Sequence, residues 1–185
     1  MPRGRLNSVV GQHSPCDTQA REMLKHYIYR IDHDLGFAPN PDYGICSLCG
    51  CKISTIEAWA SEGSWVVGIG GKGTGKSNKL IYAMQVEEVL PFAIFQARYK
   101  RKSAYLRGRQ IDPAAKVLLS RKFYYFGDKA VELPEELQYI IIRGRGCKRI
   151  ENEDAIRLKK YLARRYSYGK QGSPNNAPQQ EAARC

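Results

Sequence analysis

The sequence predicts a single α+β domain whose mostly antiparallel sheet is flanked by short helices. Three observations lead there. The 185 residues suit one ordinary domain, and 43% hydrophobic with 10% aromatic content closes one core. Several short stretches alternate apolar and polar residues with the period of two that strands require. After Ser77 there is no room for the repeated strand–helix units that bury a parallel sheet on both faces.

Taken in order, residues 1–16 lack periodicity and read as a flexible arm, with the folded domain over 17–168. Asp17 or Thr18 caps a short helix that places Ala20, Met23, Leu24 and Tyr27 on one face. YIYRID alternates as a strand, and HDLGFAPNPDYG is turn-rich because its prolines and glycines forbid regular structure. Ser54 and Glu57 have capping-box spacing and open a helix through IEAWASE that Gly63 ends.

SWVVGIG is a strand, and KLIYAMQVEEV sets Leu80, Tyr82, Met84 and Val86 on one face of another. Pro91 suits the first turn of a helix reaching about Tyr99. RYKRKSAYLRGRQ reads as basic and irregular, AKVLLS and KFYYFG as short strands, and QYIIIR as the last strand. After RGRG comes a helix with Glu153 and Asp154 in its first turn and Arg164 and Arg165 in its last, matching the backbone dipole. Residues 169–185 have the composition of a disordered polar tail.

No apolar run approaches the roughly 20 residues that cross a bilayer. The opening MPRGRLNSVV lacks the apolar stretch of a signal peptide. A cytoplasmic location without membrane contact is therefore expected, and there the six cysteines read as free thiols, metal ligands or reactive groups, not as a disulfide framework.

Charge is unevenly placed. Arg98 to Lys122 carries +8 and Arg143 to Lys170 carries +7, so the rest of this +12 chain is slightly acidic. If the two stretches share a face, phosphate backbones are the natural partner. The candidate phosphate contacts are Arg98, Lys100, Arg101, Lys102, Arg107, Arg109, Lys148 and Arg149.

Gly70, Gly75, Lys76 and Ser77 match the nucleotide-binding pattern G-x-x-x-x-G-K-[ST]. In that motif a helix begins at the Lys-Ser pair and points its amides at the phosphates. The stretch 80–86 alternates as a strand instead, and QYIIIR ends in Arg143, not in a magnesium-binding carboxylate. A glycine- and lysine-rich hairpin explains the same residues, its basic tip free to touch a phosphate. ATP or GTP is not expected as cofactor.

Asp32, His33 and Asp34 stand where a strand gives way to a turn. In extended chain Asp32 and Asp34 share one side and His33 takes the other, an arrangement that can bind a base edge or a metal, or do acid–base work. Capping of the turn's own amides uses the same carboxylates. Asn40 and Tyr43 are candidates to read or stack on a base, and Lys52 to meet a phosphate. Of Phe123, Tyr124, Tyr125 and Phe126, one alternating pair faces outward, making Tyr125 a stacking candidate. Arg143 and Arg145 punctuate a glycine-rich turn suited to an anion. Cys46, Cys49 and Cys51 form C-x-x-C-x-C without a second pair, so small buried side chains are expected there and zinc is not.

The segments HYIYRIDHDLGFAPNP, CSLCGCK, GSWVVGIGG, KLIYAMQVEEVLPF, VLLSRKFYYFG and RGRGCKR resemble, in order, the nucleotide modification associated domain 2 family. The resemblance covers roughly residues 26–165. It implies a small α+β domain from bacterial and phage settings, including phage defence, linked to modified DNA bases or nucleotides. More distantly, the G-x-W-V-V and I-Y-A-M-x-V strands are similar to PUA-like barrels, including EVE and YTH modules, which implies a curved, barrel-like sheet. Two positions depart from the family pattern: Ser64 replaces an acidic residue, and Cys147 stands where histidine is frequent.

The resulting expectation is a domain that binds a nucleic acid or a modified nucleotide. Two other readings stand beside it: an enzyme acting on a modified nucleotide through Asp32, His33 or Asp34, and a protein-interaction module.

Overall fold

The structure, a computed structural model, describes residues 24–49, 56–57, 60–106 and 109–176. In chain order the strands are β1 (His26–Ile31), β2 (Cys46–Leu48), β3 (Trp65–Gly70), β4 (Leu80–Gln85) and β5 (Glu88–Pro91), then β6 (Lys116–Ser120), β7 (Phe123–Tyr125), β8 (Cys147–Ile150) and β9 (Gly169–Lys170). The helices are α1 (Phe92–Arg98), the single turn α2 (Lys100–Ser103) and α3 (Asn152–Arg165). A six-stranded sheet runs β8-β1-β3-β4-β7-β9 and a three-stranded one β2-β6-β5. Among the described strands, β1/β3 and β7/β9 pair in parallel and the rest antiparallel. The mixed α+β class read from the sequence is the observed one.

The curvature comes from one bent ribbon. β4 pairs with β7 in the large sheet, and β5, continuing β4, pairs with β6 in the small one. Gln85 N–H to Lys122 O at 3.0 Å and Glu87 N–H to Leu119 O at 2.9 Å carry the ladder around the corner. There the Glu87 carboxylate accepts the Arg121 and Lys122 amides at 2.6 and 3.2 Å. Partial burial pushes its pKa up, but these amides and the Lys122 ammonium together hold it below the usual value.

The large sheet is covered on both faces. Ile28, Val67, Tyr124 and Phe126 pack with Ala155, Leu158 and Leu162 of α3. Tyr27, Tyr29, Val66, Phe123 and Tyr125 pack on the other face with Cys46, Leu48 and Leu118 of the small sheet. All four aromatics of 123–126 are therefore buried, and the expected outward pair does not exist. A third cluster, around Phe92, Phe95 and Leu106, sits beneath α1. Across the strands, His26 Nδ1 accepts the Trp65 N–H at 2.9 Å while Nε2 meets Asn152 Oδ1 at 3.1 Å, pinning the start of α3 to β1 and β3.

Three further expectations are corrected. QYIIIR is not a strand: Glu135–Ile140 is a 3-10 helix opened by Pro134, with Leu137 and Ile140, three apart, turned into the core. The edge of β1 that such a strand would occupy is taken by β8. Residues 169–176 are not a loose tail, because β9 pairs with β7 and Ser173 to Asn176 are tied down by hydrogen bonds. Finally, the basic stretch after Arg98 is partly helical. The helix expected from Asp17 lies outside the described residues, apart from Leu24 and Tyr27, and Tyr27 belongs to β1. Ser54 also lies outside them.

Candidate functional site

The connection between β3 and β4 is a hairpin, as its glycines suggested, and a strand follows Ser77 where a phosphate loop needs a helix. Several of its amides are engaged: Gly71 N–H bonds Ile31 O of β1, Gly75 N–H bonds Lys72 O, and Asn78 N–H bonds Gly70 O. Lys76 N–H bonds Thr74 Oγ1. Gly73 serves close packing, since a Cβ there would collide with the carbonyl of Asp32 and sit 2.9 Å from His33 Cε1.

This packing builds a cleft of about 1080 Å³. Its walls are Arg30, Asp32 and His33 at the end of β1, Lys72, Gly73 and Ser77 to Lys79 of the hairpin, Glu132, Leu133 and Gln138, and the turn Ile141 to Arg145. Five Lys and Arg side chains line it against two carboxylates. Arg30 ties the floor together, donating to Gly70 O at 2.9 Å, to Asn78 Oδ1 at 3.0 Å, and to Ile142 O. Arg145 reaches Asp32 at 3.6 Å, and both are well exposed, so the pair is weak.

Of the acidic-histidine trio, the structure brings Asp32 and His33 into the cleft and turns Asp34 away. The expectation that the two aspartates share a side is thus corrected: the chain leaves the strand after Ile31, so strict alternation stops. Asp34 is buried, accepting the Tyr125 hydroxyl at 2.7 and 2.9 Å and the backbone and side-chain N–H groups of Asn175 at 3.2 and 3.3 Å. Burial raises its pKa, and the hydrogen bonds offset this only in part. Tyr125 is likewise unavailable for stacking.

Asn40 and Lys102 also serve structure. The buried Lys102 ammonium donates to Asn40 O, Asn40 Oδ1 and Asp42 O at 3.0, 2.7 and 2.9 Å, clasping the 40–42 loop, so it is withdrawn from phosphate contact. Burial lowers its pKa to about 8, with Cys46 and Asp42 opposing the shift. Arg98 pairs with Glu88. Arg109 lies over the Phe37 ring at 4.4 Å and Arg101 over Tyr43 at 5.0 Å. Lys100, Lys148 and Arg149 are exposed. Lys52, Cys51 and Arg107 lie outside the described residues.

Cys46 and Cys49 are buried in different clusters, and burial pushes each thiol up to about 12. Among the described residues, no group of three His, Cys, Asp or Glu is placed to hold a metal. Ser64 is buried and its Oγ accepts the Ser61 N–H at 3.1 Å. Cys147 is half-buried on β8.

Tyr43 opens onto a second cleft of about 340 Å³ with Asp42, Arg121, Phe123, Tyr168 and Lys170. Sequence reasoning missed Arg30, Lys79 and Tyr168, which no motif marks. Among the described residues, no helix is long and apolar enough to cross a membrane.

A search of curated proteins finds no match to the chain. Among solved structures, it is similar to ASCH from Zymomonas mobilis, at 8% identity and a TM-score of 0.36 over 74% of this chain and 94% of that one. Two mutant forms of the same protein align at the same identity and TM-score, covering 97% and 96% of their own lengths. The family model described as nucleotide modification associated domain 2 matches residues 23–112 and 103–181, which include both clefts. With that match spanning most of the folded chain, the protein belongs to the nucleotide modification associated domain 2 family.

Proposed function

We propose that the larger cleft binds the phosphate and sugar of a nucleotide or nucleic acid and that the protein acts on modified-base DNA or nucleotides by binding them. Family membership associates the chain with nucleotides. The observation that carries the reading is the convergence of Lys72, Lys79, Arg143 and Arg145 with Asp32 and His33 around one opening. Cations there hold phosphate, and the exposed carboxylate and imidazole supply hydrogen bonds to a sugar or base edge. Fluorescence polarisation with labelled single- and double-stranded oligonucleotides at two salt concentrations tests it. Binding that weakens with salt and is lost on Arg143→Glu/Arg145→Glu is expected. Absent or salt-insensitive binding overturns it.

A catalytic reading is favoured by one observation: Asp32 and His33 are adjacent, exposed and in the same cleft. It requires turnover of a modified nucleotide that His33→Ala abolishes while the fold persists.

A further inference from the structure

We propose that the second cleft is a base-stacking site, so that the ligand class is a single-stranded nucleic acid occupying both clefts. The inference rests on the larger cleft binding phosphate, and deepens that reading.

Tyr43 and Tyr168 both line the smaller cleft and keep 60% and 47% of their surface exposed. Large phenol rings left open in a concavity and flanked by cations form the arrangement on which bases stack without sequence preference. Both rings are held in place. Tyr168 leans on the buried Tyr124, with ring centroids 4.8 Å apart. Tyr43 sits at φ 60° in a turn fastened by the Asp42–Lys170 ion pair at 2.8 Å, with the Arg101 guanidinium 5.0 Å from its centroid. Packing on Tyr124 leaves Tyr168 less side-chain freedom to lose on binding. Arg121, exposed at the same cleft, offers a phosphate contact.

The two clefts are joined by two neighbouring segments. The 32–44 loop leads from Asp32 and His33 in the larger to Tyr43 in the smaller. The 169–176 segment returns from Lys170 to Asn176, whose side-chain amide donates to Gly73 O at 3.0 Å on the rim of the larger cleft. A polynucleotide lying along this rail sets its phosphates against Arg143 and Arg145 and an unstacked base against Tyr43. A base inside a duplex has both faces covered, so the smaller cleft selects single strands.

The test measures affinity for a tri-thymidylate and for oligothymidylate and oligouridylate of about 15 nucleotides. The longer strands are expected to bind at least tenfold tighter than the short one, the two sugars distinguishing a DNA from an RNA preference. Tyr43→Ala and Arg121→Glu, both at exposed positions, are expected to remove most of that gain, and Tyr43→Phe to keep it. Affinity independent of length, or a length gain untouched by Tyr43→Ala, overturns the second cleft while leaving the first. Equal binding of a duplex with the same sensitivity to Tyr43 overturns it too. If neither length binds, the reading of the larger cleft fails as well.

Discussion

The Tyr125 hydroxyl donates to both carboxylate oxygens of Asp34, at 2.7 and 2.9 Å, with both side chains buried beneath the last described segment of the chain. Removing the donor strands part of a buried acceptor. Tyr125→Phe is expected to cost about 1–3 kcal/mol in urea unfolding. Because burial raises the Asp34 pKa, the folded state keeps that proton to higher pH than the unfolded chain does. Its contribution is full below the ordinary value of 3.8 and falls as pH rises through the raised folded value. Asp34→Asn should flatten that segment of the stability profile, and an unchanged slope would contradict the assignment.

His26 gives the opposite sign. Burial lowers its pKa, although the Asn152 bond opposes the shift, so the unfolded chain takes up the proton first on acidification. Its stabilisation is complete above 6.5 and declines as pH falls beneath that value toward the folded pKa. Melting temperatures at about pH 7.5 and about pH 5 should diverge less in His26→Gln than in the parent. The variant should also lose about 1–3 kcal/mol at neutral pH, because the buried Trp65 N–H loses its ring-nitrogen acceptor.

Gly73 tests the packing of the hairpin on the Asp32-His33 segment. A methyl group there forces the Asp32 carbonyl or the His33 ring to move. Gly73→Ala is expected to cost about 1–3 kcal/mol and to weaken oligonucleotide binding. At Gly144 an added Cβ meets nothing within 4 Å, so Gly144→Ala should stay within about 0.5 kcal/mol of the parent. Equal effects of the two would show that the hairpin does not position the cleft.

Arg143 and Arg145 are assigned to phosphate. Replacing each by glutamine should lower the slope of log affinity against log salt by about one per arginine, uniformly across sequences. A loss confined to one sequence would point to base reading instead.

Strands β1, β3, β4, β6 and β7 and helices α1 and α3 were legible because local signals mark them: short apolar runs bounded by turn residues, a proline at a helix start, and charges matched to the helix dipole. Four features were not, and each depends on a distant neighbour. The three isoleucines of QYIIIR read as strand, yet β8, whose Lys148 and Arg149 face outward, holds the edge they would need. Tyr125 reads as outward-facing unless the second sheet is known to cover it. Lys102 looks like any surface lysine until the acceptors of Asn40 and Asp42 fold onto it. Asp34 follows two cleft residues in sequence but diverges from them where the chain leaves β1, to be met by Tyr125 and by Asn175 from the far end of the fold.

That far end has a practical meaning for anyone trimming the protein. Helix α3 looks like a natural place to stop, but shortening the chain there would expose the acidic side chain under Asn175 and free one border of the Gly73 hairpin. A stop codon ahead of Gly169 should yield a product that melts early and handles its ligand poorly.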